Sequence, residues 1–285
     1  MNLLITGAWK EAKEYISELE GAGHQIQFLQ YEKDPLPCQY EWVEGVICNS
    51  LFIHHQIVLF TKLQYIQLTS AGYDRVPLDY IHAQGIELHN AKDVYSIPMA
   101  EYAVSGVLQL YKEVRAFTDR QRQHMWEKKF DLQELYGKTV CIVGCGNVGT
   151  ECAKRFAAFG CNILGIRKHS INVLNEILPE TDILLLTLPL NKNTLHLINS
   201  ENLLKLKKGA VVVNLSRGAV IETEALIDVL RTGHISGAVL DVFEEEPLPS
   251  DSILWDMENV IITPHISYAG KGIKERLWKC IKKYL

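Results

Sequence analysis

Three motifs in the C-terminal part of the chain contain side chains that can bind a carboxylate and move a proton. Arg217 has a guanidinium that can hold a carboxylate with two parallel N–H bonds. Glu246 ends a run of three glutamates, and His265 follows Thr-Pro. Taken singly, a turn arginine, an acidic run and one histidine are more often structural or solvated. Because each follows a strand-like segment of one predicted sheet, together they predict a single convergent site with acid/base chemistry.

A second group of residues predicts a dinucleotide site. The segment Val-Cys-Ile-Val-Gly-Cys-Gly-Asn-Val-Gly follows a strand-like run and opens a predicted helix over Thr150–Phe159. Glycines at this spacing are a weak signal alone, but this strand and helix context is the one that pyrophosphate binding requires. We expect Gly144 to allow a tight turn, Gly146 to let pyrophosphate approach, and Gly149 to let helix and strand pack closely. The predicted cofactor contacts here are Gly144, Gly146, Asn147, Val148 and Gly149.

The residues after the next strand predict which dinucleotide is preferred. In NAD-specific folds an acidic residue about 20 positions past the glycines accepts the ribose hydroxyls. Here the strand ends in Arg167, Lys168 and His169, and no Asp or Glu occurs between Cys152 and Asn175. A ribose 2′-phosphate suits a guanidinium and an ammonium, so we expect NADP to be preferred and NAD to remain possible. The alternative is that Arg167 stacks on adenine and both cofactors work equally.

The elements that must position these residues alternate strand-like runs with helical patterns, which predicts an α/β protein with parallel sheets. The runs in the second half are β-branched, largely uncharged and bounded by glycine, proline or charges, as in strands covered on both faces. The predicted strands are Leu3–Ile5, Ile26–Leu29, Val46–Cys48, Tyr65–Leu68 and Ile86–Leu88, then Thr139–Val143, Asn162–Ile166, Asp182–Leu188, Ala210–Leu215, Gly237–Leu240 and Val260–Thr263.

Two domains are expected from the length of 285 residues and from one apolar helical stretch. A predicted helix from near Val94 to about Phe117 is apolar almost all round through its middle, so it must be buried on several sides. We place the crossing between domains just before this helix and the return after His265. The predicted domains are a substrate-binding domain over 1–92, completed by 268–285 with a helix over Lys271–Leu285, and a dinucleotide-binding domain over 93–267.

Composition excludes several classes of function. Hydrophobic residues make up 47%, charged residues 22%, and the net charge is −5, which argues against nucleic acid or an anionic membrane as partner. No apolar run approaches the ~18 residues of a membrane span, and the first residues lack the features of a signal peptide. Seven cysteines without a Cys-x-x-Cys pair favour a reducing compartment, and hence the cytoplasm. No ligand set for a metal accompanies Cys141 and Cys145, so no metal is expected.

The order of these motifs resembles the D-2-hydroxyacid dehydrogenase family over nearly the whole chain. The resemblance begins at the loop Thr69-Ser-Ala-Gly-Tyr-Asp74 and ends at Thr263-Pro-His265. It is strongest with members called glyoxylate/hydroxypyruvate reductases or 2-oxo acid reductases, which share Leu254-Trp255 before the last motif. The resemblance implies two doubly wound parallel-sheet domains, a flavodoxin-like substrate domain and a Rossmann cofactor domain.

The resemblance also implies a role for each matching residue. His265 would be the catalytic acid/base, Glu246 the carboxylate that orients it, and Arg217 the group that binds the substrate. The backbone amides of Ala71 and Gly72 would bind the substrate carboxylate. Glu101 would be structural. Further positions expected beside the cofactor are Leu188, Pro189, Ser216 and Asp241, the last near the nicotinamide carboxamide.

The implied activity is hydride transfer between NAD(P)H and a small 2-oxo acid or D-2-hydroxy acid such as glyoxylate or hydroxypyruvate, performed by a homodimer. A nucleotide-sensing, corepressor-like regulatory protein of the same fold is an alternative, although all three catalytic positions are intact here. A phosphoglycerate-type dehydrogenase is another, but for a phosphate the first domain offers Arg75 and no evident basic cluster. A formate dehydrogenase is disfavoured because those relatives carry glutamine where Glu246 stands.

Overall fold

Eleven parallel strands form two separate sheets, one in each of two units of the chain. The computed structural model describes all residues from Met1 to Leu285. The first unit consists of Met1–Tyr95 together with Gly270–Leu285, and the second consists of Ser96–Ala269. The two-sheet α/β fold predicted from the sequence is confirmed, since the chain forms one five-stranded and one six-stranded sheet.

The sheet of the first unit has the strand order β2-β1-β3-β4-β5 and is parallel throughout. This is the flavodoxin-like order, with the topological switch point between β1 and β3. Its strands are β1 (Asn2–Thr6), β2 (Gln25–Leu29), β3 (Gly45–Cys48), β4 (Tyr65–Leu68) and β5 (Glu87–His89). Its helices are α1 (Ala12–Gly21), α2 (Leu51–His54), α3 (Leu78–Gln84) and α10 (Ile273–Lys282), with 3₁₀ turns at Tyr40–Trp42 and Ile57–Leu59.

Both faces of this first sheet are covered because the side chains of β1 alternate between two apolar cores. Leu4 packs in one core, while Leu3 and Ile5 pack in the other against Leu277 and Ile281 of α10. Helix α10 therefore completes the unit from the far end of the chain. An aromatic stack fastens it there, in which the rings of Trp9, Tyr15 and Trp278 lie 4.5 to 5.8 Å apart between centroids.

The sheet of the second unit has the order β11-β10-β9-β8-β6-β7, also parallel throughout, and the direction of winding reverses at β6. A ligand crevice is expected at the carboxyl ends of strands beside such a reversal. The strands are β6 (Thr139–Val143), β7 (Asn162–Ile166), β8 (Ile183–Leu186), β9 (Ala210–Asn214), β10 (Ile235–Leu240) and β11 (Val260–Ile262). The helices are α4 (Ser96–Tyr111), α5 (Val114–Arg122), α6 (Asn147–Ala158), α7 (Leu174–Ile177), α8 (Ser200–Lys205) and α9 (Thr223–Arg231). The 3₁₀ turns are Lys168–Val173, Leu178–Glu180, Gly218–Val220 and Ile253–Asp256.

The long apolar helix differs from its prediction, because it is two helices rather than one. Helix α4 ends at Tyr111, and Glu113 adopts a left-handed conformation with φ 48° before α5 begins. The apolar half packs into the core of the unit, where Val104 and Val107 are buried. Helix α5 buries none of its residues, and four of its nine side chains are charged. The prediction treated the two as one element although only the first is apolar. None of the helices combines the length and hydrophobicity that a membrane crossing requires.

Candidate active site

The glycine turn between β6 and α6 is built by close backbone approaches. Gly144 has φ +105°, a region open mainly to glycine, and its carbonyl oxygen accepts a hydrogen bond of 2.6 Å from the Thr187 hydroxyl. A Cβ at Gly149 would lie 2.2 Å from that same carbonyl oxygen and 3.1 Å from a methyl group of Ile142. Gly144 thus makes the turn and Gly149 lets the helix pack on the strand.

The third glycine of the turn borders open space. A Cβ at Gly146 would meet no atom within 4 Å, and Gly146 is the N-cap of α6, followed by Asn147 and Val148 in the first turn. Backbone N–H groups at a helix N-terminus attract anions. The environments of these glycines therefore fit the pyrophosphate of a dinucleotide. Helix α6 begins three residues before the predicted Thr150, because its first turn is part of the glycine motif.

The basic residues follow β7 directly beside the glycine turn. Ile166, the last residue of β7, accepts a 2.9 Å hydrogen bond at its carbonyl from the Gly144 amide. Arg167, Lys168 and His169 come next and are all exposed. The backbone of Arg167 is fixed by Ser170, whose hydroxyl accepts from Arg167 N at 3.0 Å. Burial raises the pKa of the Cys145 thiol, and the neighbouring guanidinium of Arg167 partly opposes that rise.

The loop after β8 begins at the same turn. Leu188 is buried in the core, and Pro189 is exposed with its carbonyl accepting a 2.8 Å hydrogen bond from the Thr194 hydroxyl. The loop ends where His196 N donates to Ala219 O at 2.8 Å. It is therefore an ordered loop, tied at its start to the glycine turn through Thr187 and at its end to the turn after Arg217.

Arg217 lies in a turn that the end of β9 holds in place. Asn214 Oδ1 accepts from Ser216 N at 3.0 Å and from Ser216 Oγ at 2.7 Å, and Asn214 Nδ2 donates to Arg217 O at 3.1 Å. The guanidinium itself donates from Nη1 to Ser216 O at 2.8 Å. Next to it, a Cβ at Gly218 would lie 1.8 Å from the carbonyl carbon of Phe243. Only glycine therefore permits this close approach of the arginine turn to the loop after β10.

His265 and Glu246 form a hydrogen-bonded pair. His265 Nδ1 lies 2.8 Å from Glu246 Oε2, and Glu246 Oε1 accepts from Phe243 N at 3.1 Å. The two side chains are 42% and 37% exposed, so a small molecule can reach the imidazole. His265 has φ 51°, a conformation that a residue other than glycine keeps only where its surroundings impose it. A carboxylate that fixes one ring nitrogen leaves the other available for proton transfer.

Asp241 forms the hydrogen bonds that impose this backbone conformation on His265. Its side chain is 1% exposed, and Oδ1 accepts from the Thr263 hydroxyl at 2.6 Å and from Ile266 N at 2.8 Å. Oδ2 accepts from Ser267 N at 2.9 Å, while Asp241 O accepts from His265 N at 2.8 Å. The carboxylate therefore holds the chain on both sides of His265, in the turn from Thr263 to Ser267 (the histidine turn). Its expected position near the nicotinamide stays a prediction.

In the first unit, Ala71 and Gly72 lie in the loop after β4. Asn90 Nδ2 donates to Ala71 O at 2.6 Å, and Ser70 Oγ donates to Gly72 O at 3.2 Å. These bonds fix the peptide planes of the loop, and with them the directions of its amides. In the second unit, β9, β10 and β11 are neighbours, so Arg217, Glu246 and His265 follow the ends of three adjacent strands.

Sequence reasoning missed two side-chain pairs around this site. Tyr102 of α4 hydrogen bonds to the Thr263 hydroxyl at 2.7 Å and so extends the Asp241 network, and burial raises the pKa of this tyrosine. His196 Nε2 lies 3.0 Å from Glu244 Oε2. No local pattern marks the first pair, because the two residues are 161 positions apart. The second pair was missed because Glu244 belongs to a run of acidic residues, and such runs are usually solvated.

Comparisons with known proteins agree with this architecture. The family model described as "D-isomer specific 2-hydroxyacid dehydrogenase, NAD binding domain" matches residues 104–267. A glyoxylate reductase of Pyrococcus horikoshii is 35% identical over 243 residues, which cover 79% of this chain and 72% of the relative. The crystal structure of a D-lactate dehydrogenase from Aquifex aeolicus, complexed with NAD and lactic acid, has a TM-score of 0.79 and 26% identity, with 99% of this chain and 93% of that one covered.

A second solved structure carries the phosphorylated cofactor. A D-isomer specific 2-hydroxyacid dehydrogenase from Xanthobacter autotrophicus Py2, in complex with NADPH and MES, has a TM-score of 0.77 and 25% identity, with 97% and 91% coverage. The family match spans more than half of this chain, and the glycine turn that fits a pyrophosphate lies within it. The chain therefore belongs to the D-isomer specific 2-hydroxyacid dehydrogenase family, whose members are nicotinamide-dependent oxidoreductases that act on a CH–OH group.

Proposed function

We propose that this enzyme interconverts a small 2-oxo acid, such as glyoxylate or hydroxypyruvate, and the corresponding 2-hydroxy acid, with NADP preferred as cofactor. The observation that carries the proposal is the 2.8 Å pair of His265 Nδ1 and Glu246 Oε2. Glu246 follows β10 and His265 follows β11, the two strands next to β9, which leads to Arg217. A proton donor and a carboxylate-binding group on neighbouring strand ends suit a substrate with a ketone beside a carboxylate. The relative named glyoxylate reductase supports the same substrate class.

In the proposed mechanism the chain's own groups bind the substrate and move one proton. Arg217 binds the substrate carboxylate and carbonyl oxygen by charge and direction. The Ala71 and Gly72 amides are proposed as further donors to a substrate carboxylate. The glycine turn would hold the cofactor, and the chemistry supplied by a bound nicotinamide would be the hydride that the carbonyl carbon accepts. His265 donates a proton to the carbonyl oxygen, Glu246 keeps the imidazole oriented, and Arg217 stabilises the negative charge that develops on that oxygen. Leu188, Pro189, Ser216 and Asp241 are proposed to line or support the cofactor site.

A substrate panel tests this function. Purified protein is mixed with NADPH or NADH and with glyoxylate, hydroxypyruvate, pyruvate or 3-phosphohydroxypyruvate, and the loss of reduced-nicotinamide absorbance is followed. Turnover of an unphosphorylated 2-oxo acid is expected. Binding of the cofactor without turnover of any substrate would instead favour the regulatory, corepressor-like alternative, and selective turnover of the phosphorylated acid would favour a phosphoglycerate-type enzyme.

The preference for NADPH depends in this proposal on Arg167, with Lys168 and His169 extending the positive charge. One charge-assisted hydrogen bond contributes about 1.5–3 kcal/mol, so kcat/KM is expected to be at least about tenfold higher with NADPH than with NADH. Arg167→Asp is expected to reduce or reverse the ratio, since a carboxylate repels phosphate and accepts ribose hydroxyls. Arg231→Asp, at the exposed end of α9, makes the same charge change elsewhere and serves as control. Equal kcat/KM for the two cofactors in the unmodified enzyme would contradict the preference.

We further propose a homodimer built through the second unit. Helix α4 borders an apolar groove of about 480 Å³ whose lining includes Val104, Leu108 and Phe159. Three aromatic side chains in the segment after α5 are almost fully exposed, namely Trp126 (94%), Phe130 (89%) and Tyr136 (80%). Apolar surface of this extent favours association with a second copy under two-fold symmetry. Sedimentation equilibrium at micromolar protein is expected to give the dimer mass, and a species of monomer mass alone would refute the proposal.

The cytoplasm is the proposed compartment, on the basis of the cysteines. All seven are free thiols. Burial raises the pKa of Cys141 and of Cys152 to about 12, so these thiols stay protonated and unreactive at neutral pH. A chain with many unpaired cysteines is suited to a reducing environment.

A further inference from the structure

One carboxylate outside the catalytic pair joins several loops of the second unit. Glu244 precedes Glu246 by two residues, and its Oε1 accepts from both Thr223 N at 2.9 Å and Thr223 Oγ1 at 2.6 Å. Its Oε2 lies 3.0 Å from His196 Nε2. Although burial raises the pKa of Glu244, the Thr223 and His196 hydrogen bonds outweigh it and hold that pKa below its usual value. The carboxylate is therefore stabilised in its charged form by these two partners.

The two partners belong to elements that reach different parts of the site. Thr223 begins α9, directly after the turn that carries Arg217. His196 ends the ordered loop that contains Leu188 and Pro189, and the backbone there also bridges from Ile198 to Ile221. The carboxylate of Glu244 thus connects the loop beside the proposed cofactor position to the start of α9, from the same loop that carries Glu246.

The close approach at Gly218 couples the Arg217 turn to the backbone of Glu244. A Cβ at Gly218 would lie 2.3 Å from the backbone nitrogen of Glu244, so the arginine turn and the Glu244 backbone are in direct contact. A shift of the loop after β10 would therefore act on the Arg217 turn and on Glu246 together. Glu245 provides the contrast within the same run, because it is exposed like Glu244 but engages in none of these bonds.

We propose that Glu244 is a positioning residue. Through His196 and Thr223 it holds three parts of the site in one arrangement: the loop from Thr187 to His196 (the cofactor loop), the Arg217 turn and Glu246. This inference rests on the proposed function for the roles of Glu246 and Arg217. Glu244, the first glutamate of the acidic run, thus has a role distinct from that of Glu246, the last. The effect is exerted through the loops, not on the substrate directly.

The test compares Glu244→Gln with Glu245→Gln, two identical charge changes at adjacent positions. Loss of charged hydrogen bonds that order the cofactor loop is expected to raise the Kd for NADPH, measured by direct titration, by about tenfold for Glu244→Gln. A similar fall in kcat is expected as Glu246 loses its fixed position, while Glu245→Gln changes neither quantity. In the free protein, amide hydrogen exchange over residues 187–198 is expected to be faster in Glu244→Gln only.

A second variant separates local ordering from general damage. His196→Ala removes the partner on the cofactor loop, and the double variant with Glu244→Gln is expected to lose less than the sum of the single losses, since the two act through one contact. The same Kd, kcat and exchange rates in Glu244→Gln and Glu245→Gln would overturn the proposal. If the unmodified enzyme binds NADPH but reduces no 2-oxo acid, the proposed function fails, and the Kd and exchange comparisons still decide the role of Glu244.

Discussion

Replacing His265 with alanine is expected to lower kcat by about 10²–10⁴-fold, the usual contribution of a positioned proton donor. The imidazole is held by Glu246 at 2.8 Å, so its removal takes away the donor without disturbing a buried core. The glycine turn lies after a different strand, and the Kd of the cofactor is therefore expected to stay almost unchanged. Single-turnover and steady-state rates together with a cofactor titration measure both quantities.

His54→Ala serves as the matched control, because His54 is an exposed histidine at the end of α2 in the first unit. It is expected to leave kcat and cofactor binding unaltered. Full turnover by the His265→Ala enzyme would show that His265 is not the proton donor. The role proposed for Glu246, which is to orient that histidine, would then fail as well.

Asp241→Asn is expected to lower both stability and turnover. The amide keeps one acceptor oxygen but replaces the other with an N–H₂ group, so either the Ser267 amide or the pair of donors at Oδ1 loses its partner in a site that is 1% exposed. Leaving a buried donor unpaired costs about 1–3 kcal/mol in the free energy of unfolding. Turnover is expected to fall about tenfold for each 1.36 kcal/mol by which the productive position of His265 becomes less favourable.

Urea unfolding and kcat measure these two effects of Asp241→Asn, and Asp251→Asn on the exposed surface gives the control. A variant with unfolding free energy and kcat equal to those of the control would show that the hydrogen bonds of Asp241 are not what holds the histidine turn.

The parts of the fold that the sequence predicted well are those whose signal is local. All eleven strands were expected within a few residues of their observed bounds. Apolar, β-branched runs that end at glycine, proline or charged residues are typical of buried strands, and this pattern is visible in the local sequence. The glycine turn is local as well. At Gly144 the φ of +105° and at Gly149 the 2.2 Å approach to a carbonyl oxygen give physical reasons for the two glycines.

What the sequence could not predict depends on contacts distant along the chain or on unusual backbone conformation. The break at Glu113 places a residue other than glycine in the left-handed region, which no helical pattern announces. The carboxylate of Asp241 is occupied by groups 22 to 26 positions away, and Glu244 pairs with His196 at 48. The order of strand ends predicts that His265 and Glu246 lie near one another, whereas the hydrogen bond between them is seen only in the structure.

The discontinuous make-up of the first unit imposes an order on how the protein is made. Leu3 and Ile5 are synthesised well before α10, yet the core that covers them includes Leu277 and Ile281 of that helix. The second unit is continuous from Ser96 to Ala269 and can complete its core during synthesis, since domains tend to fold as they emerge. The first unit therefore completes its core last, because one face of its sheet lacks Leu277 and Ile281 until α10 is synthesised.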